Sequence, residues 1–436
     1  MLRKDQLGNV MSGANGAAID HYHRALHELQ CYIGDPVGSI DRALEDSPAF
    51  VMGHVLRGYL HLLGTESAGT PVARAAHTAA HALSGTSRER AHIEAMGCLI
   101  KGHWHDAGRI LEDVAIDHPR DALALQAGHL IDFYTGASRM LRDRIARALP
   151  AWEAGIPGYH AILGMHAFGL EETGLYDRAE TAARRAVEIE PRDGWSQHAV
   201  AHVMEMQGRQ RDGLKWMLNN PDAWSRESFF CVHNWWHVAL FHLDLGEIDE
   251  VLQLFDAPIY GKRSRTVLDM VDASALLWRL HLRGVDVGDR WQPVADAWAP
   301  IAASGNYAFN DAHAMMAFVG AGREDAARRV FEAQERALAG TGDNVMFTRD
   351  VGAPLVRAIH AFGAGKYGRV VDLLRPLRTI ASRFGGSHAQ RDLIDLTLLE
   401  AALRDGQQSL ARALAAERLN VKPSSPGARI LMERAA

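Results

Sequence analysis

LGMHAFGLEETGLYDRAETAARRAVEIEP, residues 163–191, decides the fold of this chain. Gly174 separates two runs whose apolar residues recur at helical spacing. An aromatic, Tyr176, follows it by two residues and a small side chain, Ala179, by five; Ala183, Ala186 and Pro191 continue the series. Each residue type has a physical task. Glycine takes the left-handed conformation that ends a helix. The alanines let the second helix approach its neighbours closely, and the proline prevents that helix from continuing.

The same punctuation recurs outward in both directions, at Gly102, Gly136, Gly208, Gly246, Gly284, Gly322, Gly365 and Gly406, with spacings of 34 to 43 residues. Gly102, Trp104, Ala107, Leu111 and Pro119 repeat the full pattern, and Gly406, Ala411, Ala415 and Pro423 repeat it in part. Upstream, HYHRALHELQCYI, VGSIDRALEDSP, VMGHVLRGYLHLL and PVARAAHTAAHAL read as further helical segments, and no strand-period run interrupts them. This is the pattern of the tetratricopeptide repeat. It predicts an all-α tetratricopeptide-repeat α-solenoid, a right-handed superhelix of roughly eleven helical pairs. Such an array buries each pair only against its neighbours, so residues 1–436 are expected to form a single continuous solenoid. N-terminal pairs span 1–87, central repeats 88–385, and a C-terminal repeat and cap 386–436, with looser joints at 64–70, 256–264 and 338–344.

Composition narrows the function classes. Acids and bases are mixed along the chain, with a formal charge of -6 and no long basic block, which excludes nucleic acid and anionic membranes as expected partners. No stretch has the length and apolarity of a membrane span, and the N-terminus does not read as a signal peptide. Cys31, Cys98 and Cys231 show no paired spacing, which fits a reducing, cytoplasmic setting. No nucleotide-cofactor motif is present, and oligomeric state is not encoded legibly.

The chemistry-bearing residues concentrate in the middle. His198 and His202, then His233 and His237, are two pairs four residues apart on equivalent helices. Counted back from the turn glycines, they and His313 fall at offsets of 13, 10, 9 and 6, one face of a helix. The first helix of each pair is expected to turn this face toward a concave groove. The stripe then presents Trp195, His198, His202 and Glu205, next His233, Trp236 and His237, next Trp278, then Phe309, His313 and Met316. A second stripe, with Val200, Ala201 and Met204 and then Trp235, Val238 and Ala239, is assigned to packing. His166 and His242 fall on that packing stripe and read as core histidines.

Three readings of the histidine wall stand side by side. In the first, His198, His202, His233 and His237 chelate a divalent metal, with Glu205 or Asp311 adding a carboxylate; the HExxH motif is absent. In the second, the same four histidines and Glu205 work as acid and base on a small molecule. Trp195, Asn234, Trp236, Trp278, Phe309, Asn310, Asp311 and His313 then line the ligand site, and proton transfer or hydrolysis is the reaction class. In the third, the groove is a scaffold for a protein segment. The residues favour a His/Trp-lined central site for a small or metal-bound ligand, with a protein-binding scaffold as the alternative, and they do not decide whether the chain is an enzyme. Asn310 and Asp311 are placed to orient His313. In GGSHAQRD, Ser387 is expected to cap a helix, with His388, Arg391 and Asp392 in its first turn, in preference to a nucleophilic set.

HAVAHVMEMQGR, HNWWHVALFHLDLG, FNDAHAMMAF, LGMHAFGLEETGLYDRAE and GSHAQRDL together resemble the tetratricopeptide repeat protein 38 family over nearly the whole chain. The resemblance implies an all-helical, cytoplasmic repeat protein and implies no particular activity. Its motifs coincide with His198, His202, His233, Asn234, His237, Asn310, Asp311 and His313, while His160 and His166 stand where more variation is expected.

Overall fold

A computed structural model describes residues 3–436. Every turn glycine read from the sequence has positive φ, from +67° at Gly322 to +80° at Gly102. At each, the residue after the glycine donates its N–H to the carbonyl five residues back, as Leu175 does to Leu170, Arg209 to Met204 and Lys366 to Ala361. The glycine's own N–H reaches the carbonyl three back. This satisfies carbonyls that the helix end would otherwise leave open. Gly174 shows the conformational requirement alone: its φ is +76°, and an added Cβ would meet nothing within 4 Å. Gly174→Ala should therefore cost about 1–2 kcal/mol, purely for an L-residue in the left-handed region. Gly169 is different, because its Cβ would lie 2.4 Å from the Arg142 backbone nitrogen. Urea titration should show Gly169→Ala losing clearly more stability than Gly174→Ala; equal losses would contradict this account.

The architecture is all-α, as expected, and built of helical pairs of tetratricopeptide type. Tyr159–Glu171 and Tyr176–Ile189 form the pair around Gly174, and Gly194–Met206 and Gln210–Leu218 the pair around Gly208. Among the described residues there is no strand, only two isolated bridges, and no helix is long and apolar enough to cross a membrane.

Two compact units divide the chain. The first comprises Met1–Val200 with Asp222–Phe230, the second Ala201–Pro221 with Cys231–Ala436. The division falls inside Gly194–Met206, where the sequence shows no change of composition. Within the first unit each helix packs on the next one or two in the chain. The second unit begins the same way, with Cys231–Leu245 against Val267–Leu282 and Val267–Leu282 against Ala308–Gly320, but its C-terminal helices return. His388–Arg404 packs on Val267–Leu282, and Pro426–Arg434 packs on Cys231–Leu245. Trp278 Nε1 donates to Thr397 Oγ1 at 3.0 Å, and Ser425 Oγ to Asp244 at 2.8 Å. The segment read as a terminal cap thus lies against the middle of its own unit. Ser387 caps His388–Arg404 in a capping box with Gln390, as its sequence suggested.

This return changes the expected surface. The histidine and tryptophan stripe was placed along an open groove, yet Trp195, His198, His202, His233, Asn234, Trp236, His237, Trp278, Phe309, Asn310, Asp311 and His313 are all buried. In the second unit the returning helices cover Trp278. In the first, Trp195 stacks on Tyr32 and packs against Phe168 and Phe230. The assignment of the two neighbouring tryptophans is also reversed: Trp236 is fully buried, and Trp235, given to the packing stripe, is the more exposed.

Candidate metal centre

His202 sits near the end of Gly194–Met206; His233 and His237 occupy consecutive turns of Cys231–Leu245. The i, i+4 spacing puts His233 and His237 on one side of their helix. Their ring centroids are 5.0 Å apart and nearly perpendicular, and His202 stands 4.5 Å from His237. One nitrogen from each of the three rings lies within 4.8 Å of the others. His198 is carried one turn earlier on the helix of His202 and belongs to the first unit, where its ring stacks on Phe168 and packs against Trp195 and Phe230.

Carboxylates fix the orientation of two rings. His233 Nδ1 is 2.9 Å from Asp272 Oδ2, and His237 Nδ1 is 3.2 Å from Glu205 Oε2. A carboxylate accepts, so each Nδ1 carries a proton. Burial holds His202 well below its ordinary pKa, and the adjacent His237 adds to this. Burial does the same to His237, reinforced by His233 and Arg279. Neutral imidazoles with their Nδ1 protons on carboxylates are the form in which histidine ligates metal.

Trp236 packs against both His233 and His237, whereas His313, Asp311 and Trp278 separate from this centre. His313 is not among the grouped histidines; its Nδ1 donates to the Phe309 carbonyl at 2.8 Å, and burial lowers it to about 4. Asp311, expected to orient His313, instead faces Gln334 Nε2 at 3.5 Å, and burial raises it to about 7. Trp278 is tied to Thr397 and contributes to the packing of the returning helix. His166 is buried, and His242 bonds Glu247 at 2.6 Å.

Sequence reading found Glu205 but missed Asp272. It also missed Asp193, which accepts from His160 Nδ1 at 2.8 Å and from Ser196 Oγ at 2.7 Å. A position signal was available. Asp121 and Asp193 each stand fifteen residues before a turn glycine, at the start of a first helix, and each bonds a histidine of the preceding first helix. His27, Cys31 and His160 form a second grouping in the first unit, but burial pushes the Cys31 thiol far up and keeps it protonated.

No family model matches the chain. Among solved structures it is similar to Cut9 in the crystal structure of the APC/C hetero-tetramer Cut9–Hcn1, with 11% identity, a TM-score of 0.40, and 96% of this chain and 76% of that one covered. A monomeric IFIT1 mutant with Gppp-AAAA gives 14% identity, a TM-score of 0.40, and 97% and 95% coverage. Yeast Tom70 gives 12% identity, a TM-score of 0.33, and 96% and 86% coverage.

Proposed function

We propose that the second unit is a helical-repeat host for a divalent transition metal, zinc in the first instance, held by His202, His233 and His237. The observation that supports this most strongly is the pair of carboxylate–imidazole contacts, Asp272 with His233 and Glu205 with His237. Core histidines need only one polar partner each. Here three rings converge, and two of them are oriented through Nδ1 by carboxylates. All-nitrogen sets of this kind suit zinc, copper or nickel over magnesium or calcium.

Imidazoles gathered on one ion are also a donor set of catalytic zinc sites. Hydrolysis of a polar substrate is the activity that this reading carries. The resemblance to the tetratricopeptide repeat protein 38 family runs through the same histidine-bearing segments, and we place the chain beside that family on this ground. A partner segment bound along the stripe would need Trp236 and His237 at the surface, so a scaffold role would use another face.

The test is metal analysis of a chain expressed without a histidine tag and purified without immobilised metal. One ion per chain is expected after zinc reconstitution, with visible absorption of tetrahedral type on cobalt exchange. Both should be lost in His202→Ala and in His233→Ala. Metal well below one equivalent, or an unchanged cobalt spectrum in both variants, would overturn the proposal.

A further inference from the structure

A cleft in the second unit is lined by two basic pairs, Arg279 with Arg283 at the end of Val267–Leu282, Arg283 being its C-cap, and Arg418 with Lys422 at the end of Gln408–Val421. Each pair has i, i+4 spacing, so each puts two like charges on one helix face, and both faces meet the same space. Isolated from counter-charge, such an arrangement is unfavourable.

The carboxylates of the cleft are already engaged. Asp392 accepts from both terminal nitrogens of Arg418, at 2.5 and 2.8 Å. Glu205 is shared between His237 at 3.2 Å and Lys422 at 3.7 Å. Asp244 accepts from Ser425 Oγ and from the Gln210 amide.

Arg279 and Arg283 have no carboxylate within 4 Å among the described residues. Arg279, only 4% exposed, donates to the Ala275 and Ala389 carbonyls and lies over the Trp236 ring at 5.2 Å. Arg283 donates to the Leu243 carbonyl at 2.6 Å. Burial lowers Arg283 to about 10; Asp244 offsets part of this, and Arg418 and Arg279 add to it. Asp392, Glu205 and Asp272 act on Arg279 and Asp244 on Arg283 only from beyond ion-pair distance; carbonyls satisfy donors without cancelling charge, and buried charge calls for a closer counter-charge.

We propose that this cleft binds a small oxyanion, a phosphate or carboxylate group, on Arg279 and Arg283. The guanidinium fork matches the oxygens of either group. Arg418 and Lys422 supply the remaining positive field. The inference stands on the cleft alone and does not require the metal centre.

The experiment uses full-length, tag-free protein treated with chelator, so that no metal contributes anion affinity. Inorganic phosphate and malonate are titrated calorimetrically against sodium chloride at matched ionic strength. Saturable binding of at least one oxyanion is expected, about tenfold weaker in Arg283→Met, since a charge-assisted hydrogen-bonding group is lost. Lys422→Met, at the cleft edge, provides a second variant with weakened binding should Arg283→Met fail to fold. Binding of phosphate alone identifies a phosphorylated ligand, and of malonate alone a carboxylate. Neither oxyanion binding beyond chloride, or unchanged affinity in the folded variants, would overturn the proposal.

Discussion

Asp121→Ala should lower the stability of the first unit by about 3–5 kcal/mol, the cost of removing one partner from a buried ion pair. Asp121 joins three tasks. Its Oδ1 accepts from the Ala124 N–H at 2.9 Å and caps Ala122–Tyr134. Its Oδ2 accepts from Arg88 Nη1 at 2.5 Å and lies 3.0 Å from His92 Nε2. Arg88, His92 and Asp121 are each at most 5% exposed. The alanine variant leaves the Arg88 charge buried, with the Val10 carbonyl as its remaining oxygen contact. Burial alone would raise the Asp121 carboxyl, but His92 and Arg88 outweigh it and hold the group well below the usual carboxylate range. The folded pKa is therefore depressed, and the stabilisation is complete above the unfolded value of about 3.9 and lost as pH falls from there toward the folded one. Urea unfolding should show a gap between wild type and variant at pH 5 that narrows below about pH 4. A gap under about 1 kcal/mol, the scale of an exposed pair, would refute the account.

What the sequence made legible and what it did not have separate physical origins. The turn glycines were readable because a positive φ admits few residues, so the nine glycines carry the repeat register by themselves. Histidine register was readable for the same reason: helix period fixes which side chains share a face. Glu205 could be assigned to the histidine wall because it shares a helix with His202. Asp272 was not found, because it meets His233 from the next repeat, 39 positions away, and no local pattern ties the two. Burial of the stripe was misread for a related reason. The contact between Trp278 and Thr397 spans 119 positions, and periodicity describes a helix's faces without saying which distant helix returns to cover one. The oxyanion cleft escaped for both reasons, since its basic pairs come from helices far apart in the chain and its distinction lies in which carboxylates are already engaged.

Zinc at a hundred times its dissociation constant should stabilise the chelator-stripped protein by about 2.7 kcal/mol, because a ligand that binds only the folded state adds RT ln(1 + [L]/Kd). The increment should vanish in His202→Ala, whose ring meets His237 at 4.5 Å and is fully buried. That variant also opens space in the core, so the apo proteins must be compared first and only the zinc increment then scored. Asp272→Asn gives the sharper result. It keeps the size of the side chain that contacts His233 Nδ1 at 2.9 Å but removes its charge, and with it the pull that makes Nε2 a stronger ligand. Changes to such supporting carboxylates weaken metal binding roughly 10- to 100-fold. At the same free zinc concentration the increment should then fall to between about 1.4 and 0.4 kcal/mol. A purely structural His233–Asp272 pair predicts a different outcome: Asp272→Asn would lower apo stability and leave the response to zinc as it was. A full zinc increment in Asp272→Asn, alongside its loss in His202→Ala, would remove Asp272 from the centre, and an undiminished increment in both would remove the centre itself.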